Sequence, residues 1–118
     1  SSNVVIADAT LSWLEDGLKR LDRRRPLVLF THFPLAEGVR YRPRNAESLL
    51  QLLLPFNLQG VFCGHYHAAT ERSYASTTVV TNRCCALKRN NHDGTPEKGF
   101  VVCVAKDGRL SRRFVQVS

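Results

Sequence analysis

Residues 60–67 read Gly-Val-Phe-Cys-Gly-His-Tyr-His, and the rest of the chain is organised around them. Val61, Phe62 and Cys63 form a short apolar run of strand composition. Gly64 ends the run, and His65 and His67 follow on either side of Tyr66. A buried strand that stops at a glycine and presents two imidazoles suits a metal site. Neutral imidazole is the commonest nitrogen ligand for zinc and related ions. The glycine allows a tight backbone turn, which would bring both rings to one small volume. The pair alone is equally compatible with two solvent-facing histidines in a turn. Upstream, Leu27-Val28-Leu29-Phe30 is a second apolar run, and it ends in Thr31-His32-Phe33-Pro34. Two buried strands that each deliver histidine at the C-terminal end match the placement of ligand sites in open α/β sheets.

Taken together, the Thr-His-Phe-Pro and Gly-His-Tyr-His stretches resemble the last two of the five motifs of the calcineurin-like metallophosphoesterase superfamily. The spacing, the helix expected between them and the Ala68-Ala69-Thr70-Glu71-Arg72 that follows also fit. The resemblance runs from about Val4 to Val117, but it covers only the second half of that family's domain. The earlier motifs, Asp-x-His, Gly-Asp and Gly-Asn-His followed by Asp or Glu, do not occur here in order.

The resemblance implies an α/β fold: the C-terminal half of a four-layer α-β-β-α sandwich, with a mixed sheet ending in antiparallel strands. Residues 1–118 would then be a single partial domain. It implies metal-dependent phosphoester hydrolysis, as phosphomonoesterase or phosphodiesterase, by the full-length parent. The pattern is most similar to bacterial cyclic-nucleotide phosphodiesterase-like members. Two divalent or trivalent transition-metal ions (Mn, Fe or Zn) would be the cofactors. By motif position, His32 and His65 would ligate the second metal, and His67 the first. The bridging aspartate and the catalytic histidine would come from the N-terminal half, so no catalytic residue is assigned here. That half and a phosphate-ester substrate are the expected partners.

Loop 33–44 leaves directly from the first histidine-bearing strand and should overhang the cleft. Arg40 and Arg42 on it would grip a phosphate bidentately, or be solvated loop arginines. Tyr66, between the two histidines, would contact substrate or pack beneath the loop. Asn91-His92-Asp93 resembles the family's Gly-Asn-His-Asp, but Asn90 stands in place of glycine and the order is reversed. A polar loop of Asn90, Asn91, Asp93, Gly94 and Pro96 explains it, with His92 left to line the cleft.

Composition bounds the rest. The chain has 118 residues, the length of one domain, and 43% hydrophobic content, which argues against disorder. The apolar stretch around Leu49 to Leu54 is far short of the roughly 20 residues of a membrane span. Seventeen Lys and Arg against ten Asp and Glu give a net charge of +7. The charge is scattered, in Arg23-Arg24-Arg25, Arg40, Arg42, Arg44, Lys88-Arg89 and Arg112-Arg113, with no aromatic-interleaved stripe. That argues against nucleic acid as a partner. The four cysteines form no Cys-x-x-Cys pair, and Cys63 and Cys103 read as small buried hydrophobes. A reducing compartment, hence the cytoplasm, is expected. The competing readings are a folded but inactive fragment and a basic binding module without catalysis.

In chain order, residues 3–7 have strand composition, and Asp8 or Thr10 is placed to cap the helix after them. Leu11, Leu14, Leu18 and Leu21 make its apolar stripe, with Trp13 packing at the edge. Leu27 to Phe30 reads as a strand buried on both faces. Asn45 is placed to cap a second helix from Ala46 to about Pro55, and Gln59-Gly60 marks the turn into the next strand. Thr70–Tyr74, Thr77–Thr81, Phe100–Ala105 and Leu110–Val117 read as strands, the last two joined by an Asp107-Gly108 hairpin turn. If the first half of the domain is absent, an exposed sheet edge should favour homo-oligomers.

Overall fold

Leu49, Leu50 and Leu53 recur at helical spacing and are buried, which makes the segment Ala46–Leu53 (α2) the inner helix of the fold. Leu18, at the end of helix α1 (Asp8–Leu18), joins them in one core. Val61 and Cys63 of strand β2 (Asn57–Cys63) and Val79 of strand β4 (Thr77–Thr81) complete it from the sheet side. The other elements are β1 (Pro26–Thr31), β3 (Thr70–Tyr74), β5 (Lys98–Lys106) and β6 (Arg109–Val117). The structure is a computed structural model and describes residues 3–86 and 88–117.

Four strands form a mixed sheet in the order β1-β2-β4-β3. β1, β2 and β4 run parallel, and β3 pairs antiparallel with β4. Thr31 pairs with Cys63 and Cys63 with Thr81, so three parallel strands finish in one row. β5 and β6 form a separate antiparallel ribbon. The ribbon lies on the sheet face opposite the helices. Gly60, which shares that face with Phe62, has no side chain, and the Leu110 side chain comes within 3.2 Å of where a Cβ would stand. Inside the ribbon Gly99 is obligatory, because a Cβ there would fall 2.0 Å from the Val115 carbonyl oxygen. The chain is therefore a mixed α/β fold with parallel and antiparallel strands in one sheet, as expected.

Several local expectations are corrected. Residues 3–7 form no strand. The Asn45 side chain stands in for a neighbouring strand there: its Oδ1 accepts from Ile6 N at 2.8 Å and its Nδ2 donates to Ile6 O at 2.9 Å. Asn45 is thereby unavailable as a helix cap, and α2 starts without a side-chain cap bond. Helix α1 likewise begins after Ala7, uncapped by Asp8 or Thr10. Gly60 lies inside β2 rather than in a turn, because Gln59 is an extra residue opposite the Leu27/Val28 step of β1. β1 is not buried on both faces: it is an edge strand, and Phe30 is 71% exposed. Its ring stacks on Phe62 at 5.4 Å. Trp13 is 73% exposed beside the same edge. Together with Leu14, Leu21, Leu27 and Val28 it borders an apolar groove.

Candidate metal and phosphoester site

The row of strand ends at Thr31, Cys63 and Thr81 is the floor of the site. This is the edge at which open parallel sheets bind ligands. One residue beyond the row, Gly64 N donates to His32 O at 2.9 Å, tying the two histidine-bearing loops together. His32 Nε2 and His65 Nδ1 then stand 3.0 Å apart. One of these nitrogens carries the proton and donates to the other. The same spacing is that of two imidazoles sharing one ion at bonds of about 2.0–2.1 Å. Two imidazole nitrogens are part of the ligand set that a transition metal takes. His67 points to a different neighbour, His92, with ring centroids 5.3 Å apart. Among the described residues, no three His, Cys, Asp or Glu side chains gather in a metal-binding group.

The tight turn is not made by Gly64. His65 and His67 themselves take left-handed backbone angles, with φ of 65° and 55°. For a bulky non-glycine residue that conformation is strained by about 1–3 kcal/mol and persists where the surroundings dictate it. Here the surroundings are plain. Ala68, next in sequence, is fully buried, and its carbonyl accepts from Thr81 Oγ1 at 2.6 Å. Thr81 Oγ1 also meets Thr70 Oγ1 at 2.6 Å and accepts from Thr70 N at 3.1 Å. The segment that carries the histidines is thus held between the end of β2 and the start of β3.

Burial holds the His65 imidazole below its ordinary pKa, and the neighbouring His32 and His92 push it further the same way. His67 is also lowered, first by burial, then by His92, Arg89, His65 and Lys98. Both are therefore neutral near pH 7, the form that ligates metal. Burial pushes the Cys63 thiol up to about 11, so it is not a thiolate ligand. No disulfide joins the described cysteines.

The remaining expected residues are placed as follows. Tyr66 lies in the site, 6.3 Å from the Tyr41 ring and 5.7 Å from the His92 ring. Arg40 leans over the Tyr41 ring at 5.4 Å. Arg42 faces inward as a strut: its Nε donates to Leu35 O at 2.8 Å, and its guanidinium pairs with Glu47 at 3.6 Å. Glu47 is fixed in turn by Tyr74 Oη at 2.8 Å. Two residues matter more than their sequence setting suggested. Tyr41, at φ 68°, sets its ring edge-on to His65 at 4.7 Å. His92 is brought in by loop 82–97, where it donates its backbone N–H to His67 O at 3.1 Å. The signal for His92 was the Asn-His-Asp triplet, whose turn-forming neighbours made it read as loop.

No protein-family model matches this chain, and no curated protein matches it. Among solved structures it is similar to a dimetal phosphatase from Danio rerio. That match has a TM-score of 0.71 at 19% sequence identity, over 92% of this chain and 35% of the other. This chain therefore has a phosphatase-like fold and spans about a third of the length of that relative.

Proposed function

We propose that this chain supplies the histidine side of a dimetal phosphoesterase centre, as the C-terminal half of a four-layer metallophosphoesterase domain. His32 and His65 would hold one ion and His67 the other, with Mn, Fe or Zn as the metals. The observation that carries this reading is the 3.0 Å approach of His32 Nε2 to His65 Nδ1 at the ends of adjacent parallel strands. The likeness to a dimetal phosphatase fold supports it. Bound there, paired ions would neutralise phosphoryl charge and lower the pKa of a bound water. Two dications repel unless carboxylate lies between them. No described group of three His, Cys, Asp or Glu exists here, so the rest of the domain would supply that carboxylate.

The chain's own residues bind and orient. The Gly64–His32 backbone bond fixes the two imidazoles relative to each other. Arg40 beside Tyr41 offers positive charge to the phosphate. Arg42 holds the loop that carries both. A cytoplasmic setting fits four unbonded cysteines.

The test is metal analysis and phosphodiester turnover of the full-length protein, with His32→Ala, His65→Ala and His67→Ala variants. Two ions per chain in the parent, fewer in each variant, and turnover lower by orders of magnitude are expected. Undiminished metal and turnover in all three variants would overturn the assignment.

A further inference from the structure

Three rings that the paired imidazoles leave unused form a cup beside them. Tyr41 and Tyr66 have centroids 6.3 Å apart, Tyr41 and His92 6.3 Å, and Tyr66 and His92 5.7 Å. Their planes meet at 58°, 57° and 79°. No pair is stacked face to face, and Tyr66 and His92 meet edge to face. The cup borders the site on both sides, touching His65 through Tyr41 and His67 through His92.

Two walls of the cup, Tyr41 and His92, are held in place by their neighbours. Tyr41 keeps a left-handed φ of 68° that a large side chain rarely takes. The Arg42 strut, two of whose nitrogens are committed, keeps the loop there. His92 is set by its neighbour Asn91, which is 3% exposed. Asn91 Oδ1 accepts from Cys84 N at 2.9 Å, and its Nδ2 donates to the Thr95 and Glu97 carbonyls at 2.7 and 2.6 Å. One buried amide therefore closes loop 82–97 and leaves His92 exposed at its tip. A loop serving only as a connection has no need of that anchoring.

The charge around the cup selects its guest. Arg40 lies over Tyr41 at 5.4 Å, and Lys98 Nζ donates to the carbonyl of Arg89 on the loop that carries His92. A cation would be repelled, although aromatic rings otherwise attract one. A flat neutral ring attached to an anionic phosphate meets both the rings and the charge.

We propose that Tyr41, Tyr66 and His92 bind a flat aromatic group carried on the substrate ester, so that the site selects aryl-bearing phosphoesters over alkyl ones. This rests on the phosphoesterase reading above. The test is titration calorimetry of the full-length protein loaded with Mn²⁺, using phenylphosphonate and methylphosphonate. Phenylphosphonate should bind about tenfold tighter. That ratio should fall to about threefold or less in Tyr41→Leu and in His92→Ala, with Mn²⁺ stoichiometry intact. His92→Ala lies on an exposed loop tip and keeps the test valid if Tyr41→Leu fails to fold. Equal affinity for the two phosphonates in the parent overturns the aromatic preference and leaves the phosphoesterase reading standing. A parent that binds neither phosphonate overturns both.

Discussion

The backbone N–H of Gly64 donates to the carbonyl of His32 at 2.9 Å, one residue past the paired Thr31 and Cys63. The parallel ladder thus continues to the point where both histidine loops leave the sheet. Gly64 has no left-handed φ, and a Cβ on it would stand 3.4 Å from His32 O and 3.9 Å from His32 Nδ1, in ordinary contact. Gly64→Ala should therefore fold with less than about 1 kcal/mol lost, a Tm drop of about 4 °C or less. A drop of about 10 °C would contradict the ordinary contacts at this position.

The strain sits instead on His65, at φ 65°. Asparagine tolerates the left-handed region and alanine does not. His65→Asn should be more stable than His65→Ala by about 1 kcal/mol, although both remove the imidazole. Thermal unfolding of the two variants side by side measures this. Equal midpoints would mean that the backbone relaxes when the ring is removed.

Depressed histidine pKa values give a signed pH dependence. His65 and His67 ionise below the ordinary 6.5 in the folded chain, so the unfolded chain takes up their protons first. Their contribution is full above pH 6.5 and is lost as pH falls through the lowered folded values. In chelator, the unfolding midpoint should be flat above about pH 7 and decline below about 6.5. The His65→Asn/His67→Asn double variant should decline less. Parallel slopes would assign the decline to other groups.

The two loop arginines should separate by type of defect. Arg42→Ala removes the bond to Leu35 O and the pair with Glu47, and should lower stability by about 1–2 kcal/mol. Arg40→Ala removes the contact with the Tyr41 ring, and should leave Tm unchanged while raising KM. The reverse pattern would exchange their roles.

The exposed β1 edge should make residues 1–118 on their own prone to association. Phe30 and Trp13 are 71% and 73% exposed beside it. Phe30→Lys should shift the light-scattering mass toward monomer, because a charge on an edge strand opposes pairing. An unchanged mass distribution would clear β1 of the association.

Much of the fold was legible because its signals are local. The Val, Thr and aromatic content of Thr70–Tyr74 and Thr77–Thr81 and the Asp107-Gly108 turn pointed to these elements directly. The apolar run 27–30 located β1, but composition could not say that one side of it would lack a neighbour. Asn45 fits a capping pattern, and only the tertiary approach of Ile6, 39 residues away, redirects its side chain. The site was half legible for the same reason. Strand ends placed His32 and His65, whereas their 3.0 Å approach depends on β1 and β2 being adjacent. Tyr41 and His92 reach the site through loop geometry, which has no periodicity to read.

The bonds between Asn45 and Ile6 also make the segment before α1 depend on a distant one. Their partners are 39 residues apart, and one of them is a side chain rather than a strand. The segment before α1 therefore gains these two bonds only once the start of α2 is in place. Until then α1 can form as a local helix but lacks Leu49, Leu50 and Leu53, the residues that share the core with Leu18. The backbone at Ile6 is thus fixed by a partner distant in sequence, and should become ordered only with it.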